Sequence, residues 1–248
     1  MSFNDHFSGH AQAYASARPS YPEQLFEYLG SECEHHDLVW DCATGNGQAA
    51  VSLAKTFKRV IATDGSAEQV GQAQPANNVE YRQMTAEQSL LEKNSCDLIT
   101  VAQALHWFDT DVFFDNAKAC LKPNGVLAAW CYGVHEINGP VDAVVEKLYE
   151  EILGEYWPPE RRLVENHYDD IRFPFATCYT RHFVMTREWN LQQLCAYFTS
   201  WSALQRYKKQ NGSDPLELVS EDLRNAWGVN SENTHTVNWP LTVRLARK

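Results

Sequence analysis

The residues with the clearest chemical purpose lie together in Val39-Trp40-Asp41-Cys42-Ala43-Thr44-Gly45-Asn46-Gly47-Gln48-Ala49. An apolar run ends at a carboxylate and enters a turn of small residues. Larger side chains at Ala43, Gly45 or Gly47 would collide with a ligand approaching the backbone. The helix that follows would aim the positive end of its dipole at that ligand. Asp64 closes the next apolar run, 23 residues after Asp41, where a carboxylate can accept both hydroxyls of an adenosine ribose. Gly45, Gly47 and Ala50 fit the GxGxxA form of a dinucleotide fingerprint, so a nicotinamide-dependent oxidoreductase is one reading. Asp41 argues for another. A pyrophosphate at this turn would be repelled by the carboxylate four residues before Gly45, whereas a phosphate-free adenosine ligand bearing an ammonium group would be favoured. A carboxylate at position 41 can also simply cap or brace the turn.

Farther along, His106 follows the apolar run Leu98-Ile99-Thr100-Val101, at the end where a substrate would lie. It is the histidine placed for proton transfer, and a histidine there can equally position the loop or the substrate. Trp107 would wall the same pocket or be buried for packing alone. Arg161, Arg162, Arg172 and Arg181 are candidate carboxylate clamps, because a guanidinium binds a carboxylate as a fork; otherwise each is a surface residue. The remaining histidines, including His35 and His36, lack partners at metal-ligand spacing, so no metal is expected. The seven cysteines are odd in number and form no CxxC pair, which speaks against a zinc site or a disulfide framework. They read as reduced core thiols of a cytoplasmic protein.

These groups need a frame. The chain has 248 residues, 44% of them apolar and 21% charged, which fits one large α/β domain. Its net charge of −11 opposes a broad nucleic-acid footprint, so small molecules are the expected partners. There is no basic and apolar leader, and no apolar run approaches the roughly eighteen residues of a membrane span. Leu38–Trp40, Val60–Ala62, Val79–Tyr81, Leu98–Val101 and Val126–Trp130 read as strands separated by helical patterns, the signature of βαβ units and a parallel sheet. Val141, Val144, Val145, Leu148 and Ile152 share one face of a helix. The aromatic-rich segment from Tyr149 to Phe175 then forms either a lid over the sheet ends or the core of a small helical layer. Thr180–Met185 and Thr236–Ala246 read as closing strands, with a helix over Leu191–Phe198 between them.

At this point the residues match a known pattern. Asp41-Cys42-Ala43-Thr44-Gly45-Asn46-Gly47 resembles the first motif of class I S-adenosylmethionine-dependent methyltransferases, with Ala43 in place of the first of three glycines. The resemblance continues through Thr63-Asp64-Gly65-Ser66, Thr85-Ala86-Glu87, Cys96-Asp97-Leu98-Ile99-Thr100 and Leu121-Lys122-Pro123-Asn124-Gly125. Arg18-Pro19-Ser20-Tyr21-Pro22 and Ala102-Gln103-Ala104-Leu105-His106-Trp107-Phe108-Asp109 are similar to the trans-aconitate methyltransferase-like subgroup, which includes enzymes acting on small carboxylic acids.

The resemblance implies a Rossmann-like, seven-stranded, mostly parallel sheet with helices on both faces and a small helical and aromatic insertion over the active site. It implies one domain across residues 1–248: a lid over about 1–25, a core over about 26–134, an insertion over about 135–176 and closing elements over about 177–248. S-adenosylmethionine is the implied cofactor. Asp41 and the turn Ala43, Thr44, Gly45 and Gly47 would face its methionine part, Asp64 would take its ribose, and Gly65 would also contact the cofactor. Ser66, Gln69, Ala86 and Glu87 would border adenine, and Gln103 and Ala104 would lie beneath the sulfonium. Tyr14 and Arg18 would close over the cofactor, with Arg18 also a candidate for the acceptor, beside His106 and Trp107. The implied reaction is methyl transfer to a carboxylic acid, which is already ionised at neutral pH and needs no general base. A non-catalytic protein that only binds the cofactor is the remaining alternative.

Overall fold

The computed structural model describes residues 19–88, 91–228 and 230–248. Its frame is a seven-stranded sheet in the order β3-β2-β1-β4-β5-β7-β6. Strands β1 (Leu38–Cys42), β2 (Arg59–Asp64), β3 (Val79–Gln83), β4 (Cys96–Ala102) and β5 (Leu121–Tyr132) run parallel. Strand β7 (His235–Arg247) is antiparallel to both β5 and β6 (Thr177–Trp189). This is the Rossmann-like, mostly parallel sheet that the sequence implies.

The central strands are predominantly apolar because both of their faces are covered. On one face Val39, Leu98 and Trp130 pack with Leu25 and Leu29 of α1 (Glu23–Ser31) and Leu53 of α2 (Gln48–Leu53). On the other, Trp40, Ile99 and Leu127 pack with Phe113 and Ala117 of α4 (Thr110–Cys120), which follows the short α3 (Ala67–Gly71). The starts of β1 and β4 are tied by Asp97, whose Oδ2 accepts the N–H groups of Asp37 at 2.8 Å and Leu38 at 2.9 Å. Lys122 of the Lys-Pro-Asn-Gly turn donates to the other oxygen, Oδ1, at 2.7 Å. That turn belongs to β5, which begins at Leu121.

The closing pair β6 and β7 extends beyond both expected strands. Residues of β6 are mostly exposed at the sheet edge, so their alternation carries little hydrophobic signal. The single helix expected over Val141–Ile152 is two pieces. Helix α5 (Gly139–Glu146) gives way to a π-helical turn, Lys147–Ile152, in which the Leu153 N–H reaches back to the Leu148 carbonyl at 3.0 Å. Next come α6 (Arg161–Glu165), then α7 (Leu191–Thr199), α8 (Ser202–Asn211) and α9 (Ser220–Trp227) between the closing strands. No helix among the described residues is long and apolar enough to cross a membrane.

Candidate functional site

Chain order reverses between β1 and β4, which are neighbours although β2 and β3 intervene in sequence. Ligands of open α/β sheets bind in the crevice outside the strand ends at such a point. Here the backbone is left-handed on both sides of the crevice: at Ala43 (φ 55°), Gly45 (φ 58°) and Gly47 (φ 84°) after β1, and at Gln103 (φ 55°) after β4. For Ala43 and Gln103 this conformation costs on the order of 1–3 kcal/mol each, and strain of this kind clusters at ligand sites.

The glycines differ in purpose. Among the described residues a Cβ on Gly45 would meet nothing nearer than Gln69 Oε1 at 4.0 Å. A Cβ on Gly47 would lie 2.2 Å from the Tyr81 hydroxyl. The ring of Tyr81, held by its 2.6 Å bond to the Gln74 carbonyl, also excludes a side chain at 47.

Asp41 is fully buried behind the turn. Its Oδ2 accepts from the Thr44 hydroxyl at 2.5 Å and its Oδ1 from the Thr100 hydroxyl at 2.7 Å. Burial raises its pKa to about 6 against the pull of those hydroxyls, and the nearby charge of Asp64 raises it further. The carboxylate thus braces the turn and projects negative potential toward the crevice from behind it.

Asp64 joins the two halves of the cradle, with Oδ2 accepting the Gly45 N–H and Oδ1 the Ser66 N–H, each at 2.9 Å. These bonds use two of the roughly four lone-pair sites of a carboxylate. Ser66 caps α3 by accepting the Gln69 N–H at 3.3 Å, and both side chains are buried. The Gly65 carbonyl accepts from Gln83 Nε2 at 3.3 Å. On the opposite rim, Asn116 Nδ2 holds the Glu87 carbonyl at 2.9 Å, and Glu87 Oε1 accepts the Asp109 N–H at 3.2 Å. Ala86 is buried beside them.

Gln103 uses its side chain as a piece of backbone. Its amide donates to the Tyr132 carbonyl at 3.0 Å and accepts the Tyr132 N–H at 2.8 Å, extending the β4–β5 ladder by one rung. The turn then carries buried Ala104 into a 3₁₀ turn, Leu105–Trp107. There the His106 Nδ1 lies 3.0 Å from the hydroxyl of Tyr168, a fully buried residue.

A cleft opens beside this turn. Gln103, His106 and Trp107 line one side, and Trp157, Arg161 and Trp201 the other. The aromatic segment has split into two roles. Phe173 and Phe175 pack on Phe114, as core, while Trp157 lines the cleft with Tyr149 packed against it. Of the four candidate arginines only Arg161 lines it; Arg162, Arg172 and Arg181 are exposed. Tyr14 and Arg18 lie outside the described residues. Among the described residues no cluster of acidic, histidine and cysteine side chains could hold a metal.

Thr100, Asn116, Tyr132, Tyr168 and the aromatic partners of Arg161 were not singled out from sequence. Thr100 alone left a signal, as a hydroxyl inside an apolar strand run, and its partner emerges only from register: Thr100 pairs with Asp41 across β1 and β4.

Residues 40–129 match a family model described as a methyltransferase domain. Over 252 residues the chain is 36% identical to a "Putative methyltransferase" of Dictyostelium discoideum, covering 99% of this chain and 96% of the relative. It is 23% identical to a "Probable S-adenosylmethionine-dependent methyltransferase" of Saccharomyces cerevisiae, covering 95% and 94%. Among solved structures, a "Putative Type II Methyltransferase" from Anaeromyxobacter dehalogenans superimposes with a TM-score of 0.87 at 37% identity, covering 93% of this chain and 97% of that one.

Proposed function

Since this chain belongs to the class I S-adenosylmethionine-dependent methyltransferases, we propose that it methylates a small carboxylic acid on oxygen, giving a methyl ester. The oxidoreductase reading falls with that membership. The observation that carries the proposal is that two features meet at one switch point. The turn with Gly45, tied to Asp64, follows β1, and Gln103, which lines a cleft with His106, Trp107 and Arg161, follows the neighbouring β4.

The cradle fits the cofactor. It has backbone free of a side chain at Gly45, the Asp64 carboxylate for ribose hydroxyls, and a buried negative charge at Asp41 to favour an ammonium group. Thr44, Gly47 and Gly65 shape the turns, Ser66, Gln69, Ala86 and Glu87 form the adenine side, and Gln103 and Ala104 form the floor toward the acceptor. When bound, S-adenosylmethionine supplies a methyl group already activated on a sulfonium, which an in-line displacement can transfer.

The protein's own work is alignment and exclusion of water, which can lower a barrier by roughly 7–11 kcal/mol. His106, held by Tyr168, orients the acceptor or its loop, because an ionised carboxylate has no proton to lose. Trp107 and Trp157 keep the cleft dry. Tyr14 and Arg18 complete the closure in this reading, and residues 135–176 roof the acceptor. We place the chain in the trans-aconitate methyltransferase-like subgroup and in the cytoplasm, on the Arg18–Pro22 and Gln103–Asp109 stretches and on the odd cysteine count with no CxxC pair. Calorimetric titration with S-adenosylmethionine, S-adenosylhomocysteine and NADH, followed by a methylation screen of small acids, tests the proposal. Micromolar binding of the first two, none of NADH, and ester formation are expected; an amine or nucleic-acid acceptor would overturn the carboxylic-acid assignment.

A further inference from the structure

The cleft beyond Gln103 has an electrostatic character at odds with the rest of the molecule. The chain carries a net charge of −11, yet among the described lining residues there is no aspartate or glutamate and one permanently charged cation, Arg161. Arg161 is also held unusually well for an arginine on a short surface helix. Its guanidinium lies 5.0 Å from the ring centre of Trp157 and 5.5 Å from that of Tyr149. Its Nε donates to the Tyr149 hydroxyl at 2.7 Å, and that hydroxyl donates to Glu165 Oε1 at 2.6 Å. Glu165 itself stays 3.9 Å from the guanidinium, too far for a hydrogen bond.

Two consequences follow from this geometry. The aromatic faces of Tyr149 and Trp157, which would otherwise attract an ammonium group from the acceptor, are already occupied by a cation. The bond through Nε also fixes the plane of the guanidinium, while its two terminal amino groups make no hydrogen bond among the described residues. The π-helical turn Lys147–Ile152 contains Tyr149, and such insertions recur at functional sites.

We propose that Arg161 is a specificity-determining residue of this enzyme. It binds an anionic oxygen group of the acceptor, such as a carboxylate, through its outer amino groups, and the Tyr149–Trp157 pair that holds it excludes cationic acceptors. The inference rests on the methyltransferase reading, and it assigns to Arg161 a role that the sequence divided among several arginines.

The test screens matched pairs of small carboxylic acids and their amides, alongside small amines, in a methyl-transfer assay. It compares the native chain with Arg161→Met and Arg161→Lys, after thermal melts establish that the variants fold. Turnover of acids and not of amides or amines is expected. Arg161→Met should lose 100-fold or more in kcat/KM, mostly through KM, and Arg161→Lys should recover part of it. Affinity for S-adenosylhomocysteine, measured by calorimetry, should change less than twofold. The same acids titrated into the S-adenosylhomocysteine complex should change tryptophan fluorescence in the native chain and not in Arg161→Met. Failure of the native chain to bind S-adenosylmethionine would remove the underlying reading. With that binding intact, three results would each overturn the role of Arg161 alone: no acid turned over, a neutral or amine acceptor preferred, or an Arg161→Met protein that is folded and equally active. An equal loss of cofactor affinity would reassign Arg161 to the cofactor and sink the proposal.

Discussion

The Thr100 hydroxyl donates a 2.7 Å hydrogen bond to Asp41 Oδ1 across the junction of β1 and β4, the point where the strand order reverses. This contact ties the buried carboxylate to β4 behind the proposed cofactor cradle. Burial raises the Asp41 carboxyl from its ordinary 3.8 to about 6, so the folded protein holds this proton more tightly than the unfolded chain does. The stability the group contributes is full below pH 3.8 and is lost as pH rises through about 6. At neutral pH the charge costs the unliganded fold about 3 kcal/mol. Asp41→Asn should therefore raise the melting temperature at pH 7.5 and change it little at pH 4. It should also weaken S-adenosylmethionine binding about tenfold, or ~1.4 kcal/mol. In the native chain affinity should fall as pH drops through 6. Melts at both pH values and calorimetry check this; a destabilised Asp41→Asn protein at pH 7.5 would refute it.

Asp64 has a structural duty beside the ribose role proposed for it. Asp64→Ala removes the acceptor of the Gly45 and Ser66 N–H groups as well as the proposed ribose partner. Affinity for S-adenosylmethionine should fall ten- to a hundredfold, or roughly 1.5–3 kcal/mol, and the melting temperature should fall with it. Calorimetry and thermal melts on one preparation measure both, and unchanged affinity in a folded variant would move the ribose site elsewhere.

Gly47→Ala forces a methyl group to within 2.2 Å of the Tyr81 hydroxyl at a φ of 84°. A loss of about 1–3 kcal/mol in stability is expected. Adding Tyr81→Phe should restore only part of it, because the ring carbons still lie 2.9–3.0 Å from the new Cβ. Chemical denaturation of the single and double variants measures the coupling. Full additivity would show that the Tyr81 hydroxyl is not the obstacle.

His106 separates two kinds of acceptor. If the acceptor is an ionised acid, His106→Asn should lower kcat less than tenfold and leave its pH profile flat near neutrality. A general base would contribute about 10²–10⁴-fold, and a loss of that size would point to a hydroxyl or amine acceptor. Tyr168→Phe, which removes the 3.0 Å contact to His106 Nδ1, should resemble the milder outcome. Steady-state kinetics across pH 6–9 on an identified acceptor decide.

What the sequence determined by itself was the frame and the candidates for the cofactor side. Continuous apolar runs marked the central strands because both of their faces are buried, and Asp41, Gly45 and Asp64 stood out as candidates because each ends or follows such a strand within a short stretch of chain. Tertiary structure decided what depends on distant segments meeting. The reason for Gly47 lies in Tyr81, the brace on Asp41 in Thr100, 59 residues away, and the tether on His106 in Tyr168, 62 residues away. Arg161 could not be told from Arg162 by sequence, since neighbours on a helix point about 100° apart and only packing decides which one turns inward. It is the π-wound turn, which no hydrophobic repeat announces, and the Tyr149–Trp157 pair beside it that turn Arg161, and not Arg162, into the cleft.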